Sequence, residues 1–254
     1  MAGAPLPLPG RFHELSLATQ DIRASVEFYE ALGFSQAATT DTFSHPYGVL
    51  TDGRLYLGLH ERHAPSPTLT FVRAGLAGCL REFAARGIEL TLCQVGEERF
   101  NEIGFGGPHG EAVRVIEART YSPAARAPGE TSLCGDFAEV SLPVADFAAA
   151  QAFFEPLGFV ATGEVAAPYV HLPLTSDHLD LAFHRSRTFD EPLVVFRAPD
   201  MAERIERLRA LGMRVEHPLP RGIEPGTNAL LLSPEGTHLL LLQGEDQAAA
   251  TAGA

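Results

Sequence analysis

Apolar and polar residues alternate in short stretches along most of the chain, and each group of such stretches contains one segment with helical spacing. In the first group, HELSLAT alternates as a half-buried strand does, and Ile22, Val26 and Tyr29 then follow the spacing of a helix face. Asp21 suits the N-cap of this helix and Gly33 suits its end. FSQAATT, YGVLT and RLYLGLHE follow as strands, so the group predicts a βαβββ unit.

Three further groups predict the same unit. The second contains TLTFVR, a helix around residues 80–85, and the strands LTLCQV, NEIGFG and AVRVIE. The third repeats the first and ends with the strands PYVHLPL and LDLAFH. The fourth contains LVVFR, a helix around residues 202–211, and the strands RVEHPL, NALLLS and HLLLLQ.

The chain also repeats itself at a fixed offset. The segment HELSLATQDIRASVEFYEALGF recurs as AEVSLPVADFAAAQAFFEPLGF, so that Glu14 and Glu139, or Gly33 and Gly158, are 125 positions apart. Within each half, Gly33 to Gly87 and Gly158 to Gly212 are both 54 positions apart. A repeat at a fixed period indicates repeated structural units. We therefore expect an α+β fold of four βαβββ units that form two half-barrel cups.

The repeat also divides the chain. The expected first domain spans residues 11–118, with units at 11–62 and 67–118, and the second spans residues 135–243, with units at 135–186 and 191–243. Residues 119–134, which are rich in Pro, Ala and Gly, are expected to be a linker. The small polar residues 244–254 are expected to be a disordered tail.

The overall charge narrows the kinds of partner. A formal net charge of −13 disfavours nucleic acids and anionic lipid surfaces, so we expect a small-molecule ligand. The sequence predicts no membrane span and no signal peptide, so we expect a cytoplasmic protein. We expect this protein to be a monomer or a homodimer. Cys79, Cys93 and Cys134 lack C-x-x-C spacing and are expected to be buried, reduced thiols.

Four βαβββ units, a twice-repeated helix that ends in LGF, and P-x-G turns before the last strands resemble the vicinal oxygen chelate superfamily. That group includes glyoxalase I, extradiol dioxygenases, and fosfomycin- and bleomycin-resistance proteins. The resemblance covers nearly the whole chain and implies that two units form each cup. It further implies a divalent metal in the cup, held by residues of the first and last strands of the units. The fold alone implies no single activity, because it hosts several chemistries.

Strand alternation predicts which side chains face the cups. Leu15 and Leu17 must pack on helices, so Glu14 and Ser16 face the first cup, and their copies Glu139 and Ser141 face the second. By the same argument, residues in the last strand of the first and third units also face the cups: Tyr56, His60, Asp180 and His184. Each cup is thus expected to hold one glutamate and one histidine, which suit acid–base catalysis or ligation of Zn²⁺, Ni²⁺, Fe²⁺ or Mn²⁺.

The second unit of each half does not complete a metal site. At the positions where the resemblance implies further ligands stand Thr68 and Arg114 in the first half, and Leu193 and Leu240 in the second. An arginine repels a cation. The alternative is a metal-free polar site, in which Arg114 binds an anionic or carbonyl oxygen and Glu14 balances its charge.

Two main functions therefore remain open, and a scaffold or regulatory domain with vestigial cups is a third, weaker alternative. One is a glyoxalase-like enzyme, a lyase, isomerase or dioxygenase, acting on a small oxygenated molecule with Glu14 and His60, or Glu139 and His184, as ligands or acid–base pair. Extradiol cleavage is disfavoured because two histidines and one carboxylate cannot be assembled from the matching positions. The other is a binding protein of the bleomycin-resistance type that sequesters a small molecule without chemistry.

Overall fold

In the computed structural model, residues 7–39, 43–97, 100–118, 132–215 and 218–244 are described. The first half contains eight strands and two helices: β1 Arg11–Thr19, α1 Ile22–Ala31, β2 Ser35–Ala37, β3 Tyr47–Thr51, β4 Tyr56–Glu61, β5 Thr68–Arg73, α2 Leu76–Ala85, β6 Leu90–Gln94, β7 Glu102–Gly106 and β8 Ala112–Glu117. These strands form one sheet in the order β2-β3-β4-β1-β5-β8-β7-β6. The two predicted units of this half thus join through β1 and β5, which pair antiparallel.

The second half repeats this arrangement with one strand fewer among its described residues. Its elements are β9 Asp136–Val144, α3 Phe147–Phe154, a short 3₁₀ helix at Glu155–Leu157, β10 Val160–Ala161, β11 His171–Thr175, β12 Asp180–Arg185, β13 Leu193–Ala198, α4 Met201–Ala210, β14 Ala229–Leu232 and β15 His238–Gln243. The sheet order is β10-β11-β12-β9-β13-β15-β14. The α+β fold with two cup-forming sheets, predicted from the sequence, is confirmed.

One predicted strand is wrong. RVEHPL was expected to form a strand after α4, but its described residues Arg214, Val215, Pro218 and Leu219 lie in irregular backbone. The segment instead sends Val215 into the main core and leads to Ile223, which packs with Leu230 in the second cup. A strand at that edge would have placed alternate side chains in solvent. The chain here covers the cup instead of extending the sheet.

The first and third helices begin and end where the sequence predicts, whereas α2 begins at Leu76, earlier than the predicted 80–85. Asp21 caps α1 by accepting a hydrogen bond from the Ala24 amide, and Asp146 caps α3 through the Ala148 amide. After the first and third helical segments, Gly33 and Gly158 adopt positive φ values of 90° and 97°, which glycine reaches without strain.

A shared hydrophobic core joins the two halves on the helix side of both sheets. Leu15 and Leu17 of β1 and Leu57 of β4 are essentially inaccessible to solvent and pack in that core, as their alternation predicts. Phe34 of the first half meets Phe196 of the second at a ring-centroid distance of 6.2 Å. Tyr29 of α1 donates a hydrogen bond of 2.6 Å to Glu235 in the last turn of the second half. The opposite, concave faces of the sheets are therefore free to form sites.

The ends of the predicted domains fall partly outside the described residues. The expected linker 119–134 is described only from Ser132 onward, where Cys134 is completely buried, and of the expected tail only Gly244 is described. Cys79 is buried as predicted, but the prediction is wrong for Cys93, which is exposed on the edge strand β6. None of the described helices combines the length and hydrophobicity that a membrane crossing requires.

Candidate functional site

Glu14 lies at the centre of a hydrogen-bonded cluster in the first cup. The side chain projects from β1 and is only 2% exposed. Ser16 donates to Oε1 over 2.7 Å and Tyr47 donates to Oε2 over 2.6 Å. His60 Nε2 lies 2.9 Å from Oε1. Strand alternation therefore brings Glu14 and His60 to one face and into direct contact.

The hydrogen bonds keep Glu14 ionised despite its burial. Burial by itself raises the pKa of a carboxyl, but the hydrogen bond and charge of His60, together with His13 and Tyr47, outweigh this effect. The pKa of Glu14 consequently lies below its ordinary value. An ionised carboxylate only accepts hydrogen bonds, so His60 must carry its proton on Nε2.

A second histidine extends the cluster. His45 Nε2 lies 2.9 Å from His60 Nδ1, which gives a continuous chain from Glu14 through His60 to His45. The ring of Phe43 stacks on His45 at 5.3 Å and meets the His60 ring edge-on at 5.1 Å. Burial first, and the nearby charges of Arg62, His60 and Arg114 next, lower the pKa of His45. The chain ends at a neutral, partly exposed imidazole that can exchange protons with its surroundings.

Gly58 makes room for the Glu14 carboxylate. It is the partner of Ser16 in the β1–β4 register, and a Cβ atom built on it would stand 2.1 Å from Glu14 Cδ. Such a distance is far shorter than any van der Waals contact, so a side chain at residue 58 and the observed position of Glu14 exclude each other. The absence of a side chain on β4 thus allows Glu14 to reach His60.

A cavity of about 220 Å³ opens beside this cluster between β1, β5, β7 and β8. Its polar lining comprises Ser16, His60, Arg62, Thr68, Thr91, Glu102 and Arg114. Its apolar lining includes Leu17, Pro65, Leu92, Phe105 and Val113. Arg114 is fixed by Glu102, whose Oε2 accepts from Arg114 Nε over 2.6 Å. The expected charge partner of Arg114 was Glu14, whereas the structure pairs it with Glu102.

Two other residues that were predicted to face the cups lie outside this cavity. Tyr56 is half-buried on β4 and does not line this cavity. Asp180 is exposed at the start of β12. Tyr47 and His45, in contrast, belong to the cluster although the sequence did not indicate them. Strand alternation could have indicated Tyr47, which pairs with His60 in the sheet register, but no local pattern places the His45 loop.

Apolar side chains replace much of the polar lining in the second cup. Sheet register matches Thr68, Thr70, Gly104 and Arg114 of the first cup with Leu193, Val195, Leu230 and Leu240 of the second. These four apolar residues pack in one buried cluster with Tyr169, Phe189, Ile223 and Leu242. A cavity of about 400 Å³ remains beside Leu193, Leu230 and His238, but neither Glu139 nor His184 lines it.

Glu139 and His184 do not form a pair. His184 Nδ1 instead lies 2.8 Å from Ser141 Oγ, while Glu139 Oε1 has no hydrogen-bond partner. Burial is the main cause that raises the pKa of Glu139 to about 7 and lowers that of His184 to about 4. Ala182 stands at the register position of Gly58, so its methyl group occupies the space that β4 leaves open for Glu14. The second cup keeps the residue types of the first but lacks its hydrogen-bonded chain.

The side chains of the first cup do not fit a divalent cation. Both Glu14 oxygens already accept hydrogen bonds, and Arg114 on β8, two strands away, adds a positive charge to the same cavity lining. Across the described ranges, no three His, Cys, Asp or Glu side chains are grouped as metal ligands would be. We therefore derive no chemical step through a metal.

Comparisons with known proteins identify the fold family. The family model described as the Glyoxalase/Bleomycin resistance protein/Dioxygenase superfamily matches residues 11–116. The first half of the chain is thus a domain of this superfamily, as its sequence resemblance predicted. A search of curated proteins gave no significant match.

Solved structures extend the likeness over both halves. A catechol 2,3-dioxygenase shares 12% identity at a TM-score of 0.61, with 95% of this chain and 89% of that chain covered. The 2,3-dioxygenase LapB from Pseudomonas sp. KL28 shares 16% identity at a TM-score of 0.62, covering 96% and 94%. A mutant of 4-hydroxymandelate synthase from Streptomyces coelicolor shares 14% identity at a TM-score of 0.59, covering 97% of each. At such identities the likeness establishes the two-cup fold and no particular reaction.

Removing the Tyr47 hydroxyl is expected to weaken the Glu14 cluster. Tyr47→Phe deletes one of the hydrogen bonds that a buried carboxylate accepts, which typically costs about 1.5–3 kcal/mol. The pKa of Glu14 should rise, because the ionised form loses a donor. Urea unfolding at pH 7 measures the first effect and carboxyl NMR titration the second. A variant with wild-type stability and an unchanged Glu14 pKa would show that this contact contributes nothing.

Proposed function

We propose that the first cup binds a small oxygenated molecule and transfers a proton on it, with His60 as the acid–base residue. The observation that carries the proposal is the chain Glu14–His60–His45 beside a cavity that His60 itself lines. Glu14 acts as a positioning residue in this proposal, because it holds Nε2 of the His60 ring, whereas His45 occupies Nδ1 until it moves away.

The chemistry follows from the protonation of the chain. The Nε2–H group of His60 donates a hydrogen bond to Glu14, so Nδ1 is the basic nitrogen of the ring. His45 is hydrogen-bonded to this Nδ1 atom. Movement of His45 by its loop would free Nδ1 to accept a proton from carbon or oxygen of a bound molecule. The ionised Glu14 then stabilises the imidazolium that forms. The proposal favours a glyoxalase-like isomerase or lyase and requires no metal.

Binding without chemistry is the second candidate. It is favoured by the complete internal satisfaction of Glu14, since a carboxylate that accepts hydrogen bonds from Ser16, Tyr47 and His60 can be a purely structural group. The chain would then sequester its ligand in the manner of bleomycin-resistance proteins. The two candidates differ in whether His60 accelerates a reaction.

Hydrogen–deuterium exchange at carbon distinguishes them. Pyruvate, phenylpyruvate and hydroxyacetone in D₂O serve as probes, and NMR follows the loss of their α-proton signals. A proton-transfer enzyme should accelerate exchange of at least one probe, and His60→Gln should lower the rate about 10²–10⁴-fold. His178→Gln, at an exposed histidine of the second half, is the matched control and should keep the wild-type rate. Equal rates with wild-type protein and His60→Gln would contradict the proposal and leave binding alone.

A further inference from the structure

Two arginines line the same end of the first cavity, and only one of them has a carboxylate partner. Arg114 is bound by Glu102, and Glu14 is engaged with His60. Arg62, directly after β4, lines the cavity too, but its Nε atom is buried without a hydrogen-bond partner. Within the described parts of the chain, no carboxylate forms an ion pair with Arg62. At this end of the cavity, Arg62 therefore offers a buried donor that no carboxylate satisfies by a hydrogen bond.

The surroundings of Arg62 are unfavourable for its charge. Burial first and the positive charge of Arg114 next lower the pKa of Arg62, and the attraction of Glu102 and Glu14 is a weaker opposing effect. A monoanion placed between the two guanidinium groups would relieve this repulsion and supply acceptors for their donors. A dianion is less suitable, because Glu102 and Glu14 lie nearby and would repel the second charge.

The remaining wall of the cavity also offers apolar groups. Ala64, Pro65, Leu92 and Ala112 are among its lining residues. The volume of about 220 Å³ corresponds to roughly seven water molecules at ~30 Å³ each, which suits a ligand of about ten heavy atoms. Apolar walls with a few converging polar groups are typical of small-molecule sites.

We propose that the ligand of the first cup is a small apolar monocarboxylate, bound with its carboxylate on Arg62 and Arg114 and its apolar body against Leu92 and Pro65. This assignment rests on the proposed function in one respect, namely that the first cavity is the ligand site. It deepens that function by naming the ligand class, and it places the reacting carbon next to the carboxylate, on the side of the cavity that His60 lines.

Calorimetric titration with benzoate and its neutral analogue benzamide tests the charge requirement. The full-length protein should bind benzoate at one site per chain, and benzamide at least tenfold more weakly. In Arg62→Gln, the benzoate Kd should rise at least tenfold, while the benzamide Kd should stay within about twofold. Arg187→Gln, an exposed arginine of the second half, is the control and should bind benzoate like the wild type. Circular dichroism melting shows whether each variant is folded.

Equal affinity for benzoate and benzamide, or an unchanged benzoate Kd in Arg62→Gln, would overturn the proposal. Amide chemical shifts provide a second readout: benzoate should move Thr91 and Gly104 beside the cavity and leave Leu230 and Leu240 unmoved. The outcome is separable from that of the proposed function. Benzoate binding without His60-dependent exchange supports the proposed ligand class and contradicts the proposed proton transfer. His60-dependent exchange of hydroxyacetone without benzoate binding supports the proton transfer and contradicts the ligand class.

Discussion

Replacing Gly58 by alanine is expected to separate Glu14 from His60 and to lower the free energy of unfolding by about 3–5 kcal/mol, because a buried carboxylate loses hydrogen bonds that contribute about 1.5–3 kcal/mol each. The new Cβ would stand 2.1 Å from Glu14 Cδ, so the carboxylate must leave its present position. Its hydrogen bonds to Ser16, Tyr47 and His60 depend on that position. Urea unfolding at pH 7 measures the loss.

Gly48→Ala is the matched control for this prediction. Gly48 lies on the neighbouring strand β3, and a Cβ there would meet only Ile22 Cδ1 at an ordinary distance of 3.9 Å. The control should be as stable as the wild type or slightly more stable, because alanine has less conformational freedom than glycine in the unfolded chain. If Gly58→Ala and Gly48→Ala had equal stabilities, Gly58 would not be what allows the Glu14–His60 contact.

The second half of the chain already contains the substitution. Ala182 stands at the register position of Gly58, and there Glu139 makes no hydrogen bond to His184. Burial without those donors raises the pKa of Glu139 to about 7, whereas the pKa of Glu14 is lowered. Gly58→Ala should therefore move the pKa of Glu14 upwards, in the direction of Glu139. Carboxyl NMR titration of the variant measures this shift.

Glu139→Gln is expected to stabilise the protein at high pH. The pKa of Glu139 is raised from 4.5 to about 7 in the folded chain, so the folded state holds a proton that the unfolded state releases between these values. The stability associated with that proton is fully present below pH 4.5 and is lost as the pH rises through 7. The shift corresponds to about 3 kcal/mol at most. The glutamine side chain stays neutral and avoids this loss.

The measured quantity is the difference in the free energy of unfolding between Glu139→Gln and the wild type, from pH 4 to pH 9. Glu139→Gln should match the wild type near pH 4 and exceed it by about 2–3 kcal/mol above pH 8. Glu203→Gln, at a carboxylate on the exposed face of α4, is the control and should follow the wild type at every pH within about 0.5 kcal/mol. A difference between Glu139→Gln and wild type that does not change with pH would show that Glu139 titrates normally.

The sequence was sufficient to predict the faces of the strands. Leu15, Leu17 and Leu57 alternate with polar residues, and burying the leucines against helices leaves Glu14 and His60 on the concave side. The repeat offset predicted that the second half would repeat the units of the first, and its described strands form a sheet of matching order with one strand fewer. These features depend on periodicity along one strand, which a single sequence displays directly.

Contacts between distant segments could not be predicted in this way. His45 contacts His60 from a loop. Arg114 pairs with Glu102 and not with Glu14, because the strands β7 and β8 that carry Glu102 and Arg114 are neighbours. The packing of Ile223 into the second cup depends on a segment that was predicted to be a strand. Equal residue types in the two halves suggested two similar sites. Their environments differ because the strands beside them carry Thr70 and Arg114 in one half and Val195 and Leu240 in the other.

The protonation state of the His60 ring tests the central claim most directly. In protein with ¹⁵N-labelled histidine, assigned with His60→Gln, the account predicts that Nε2 of His60 carries a proton at pH 7 and that its signal changes in Glu14→Gln. A proton found only on Nδ1, or a His60 signal that does not respond to Glu14→Gln, would contradict an ionised Glu14 that holds this imidazole in the first cup.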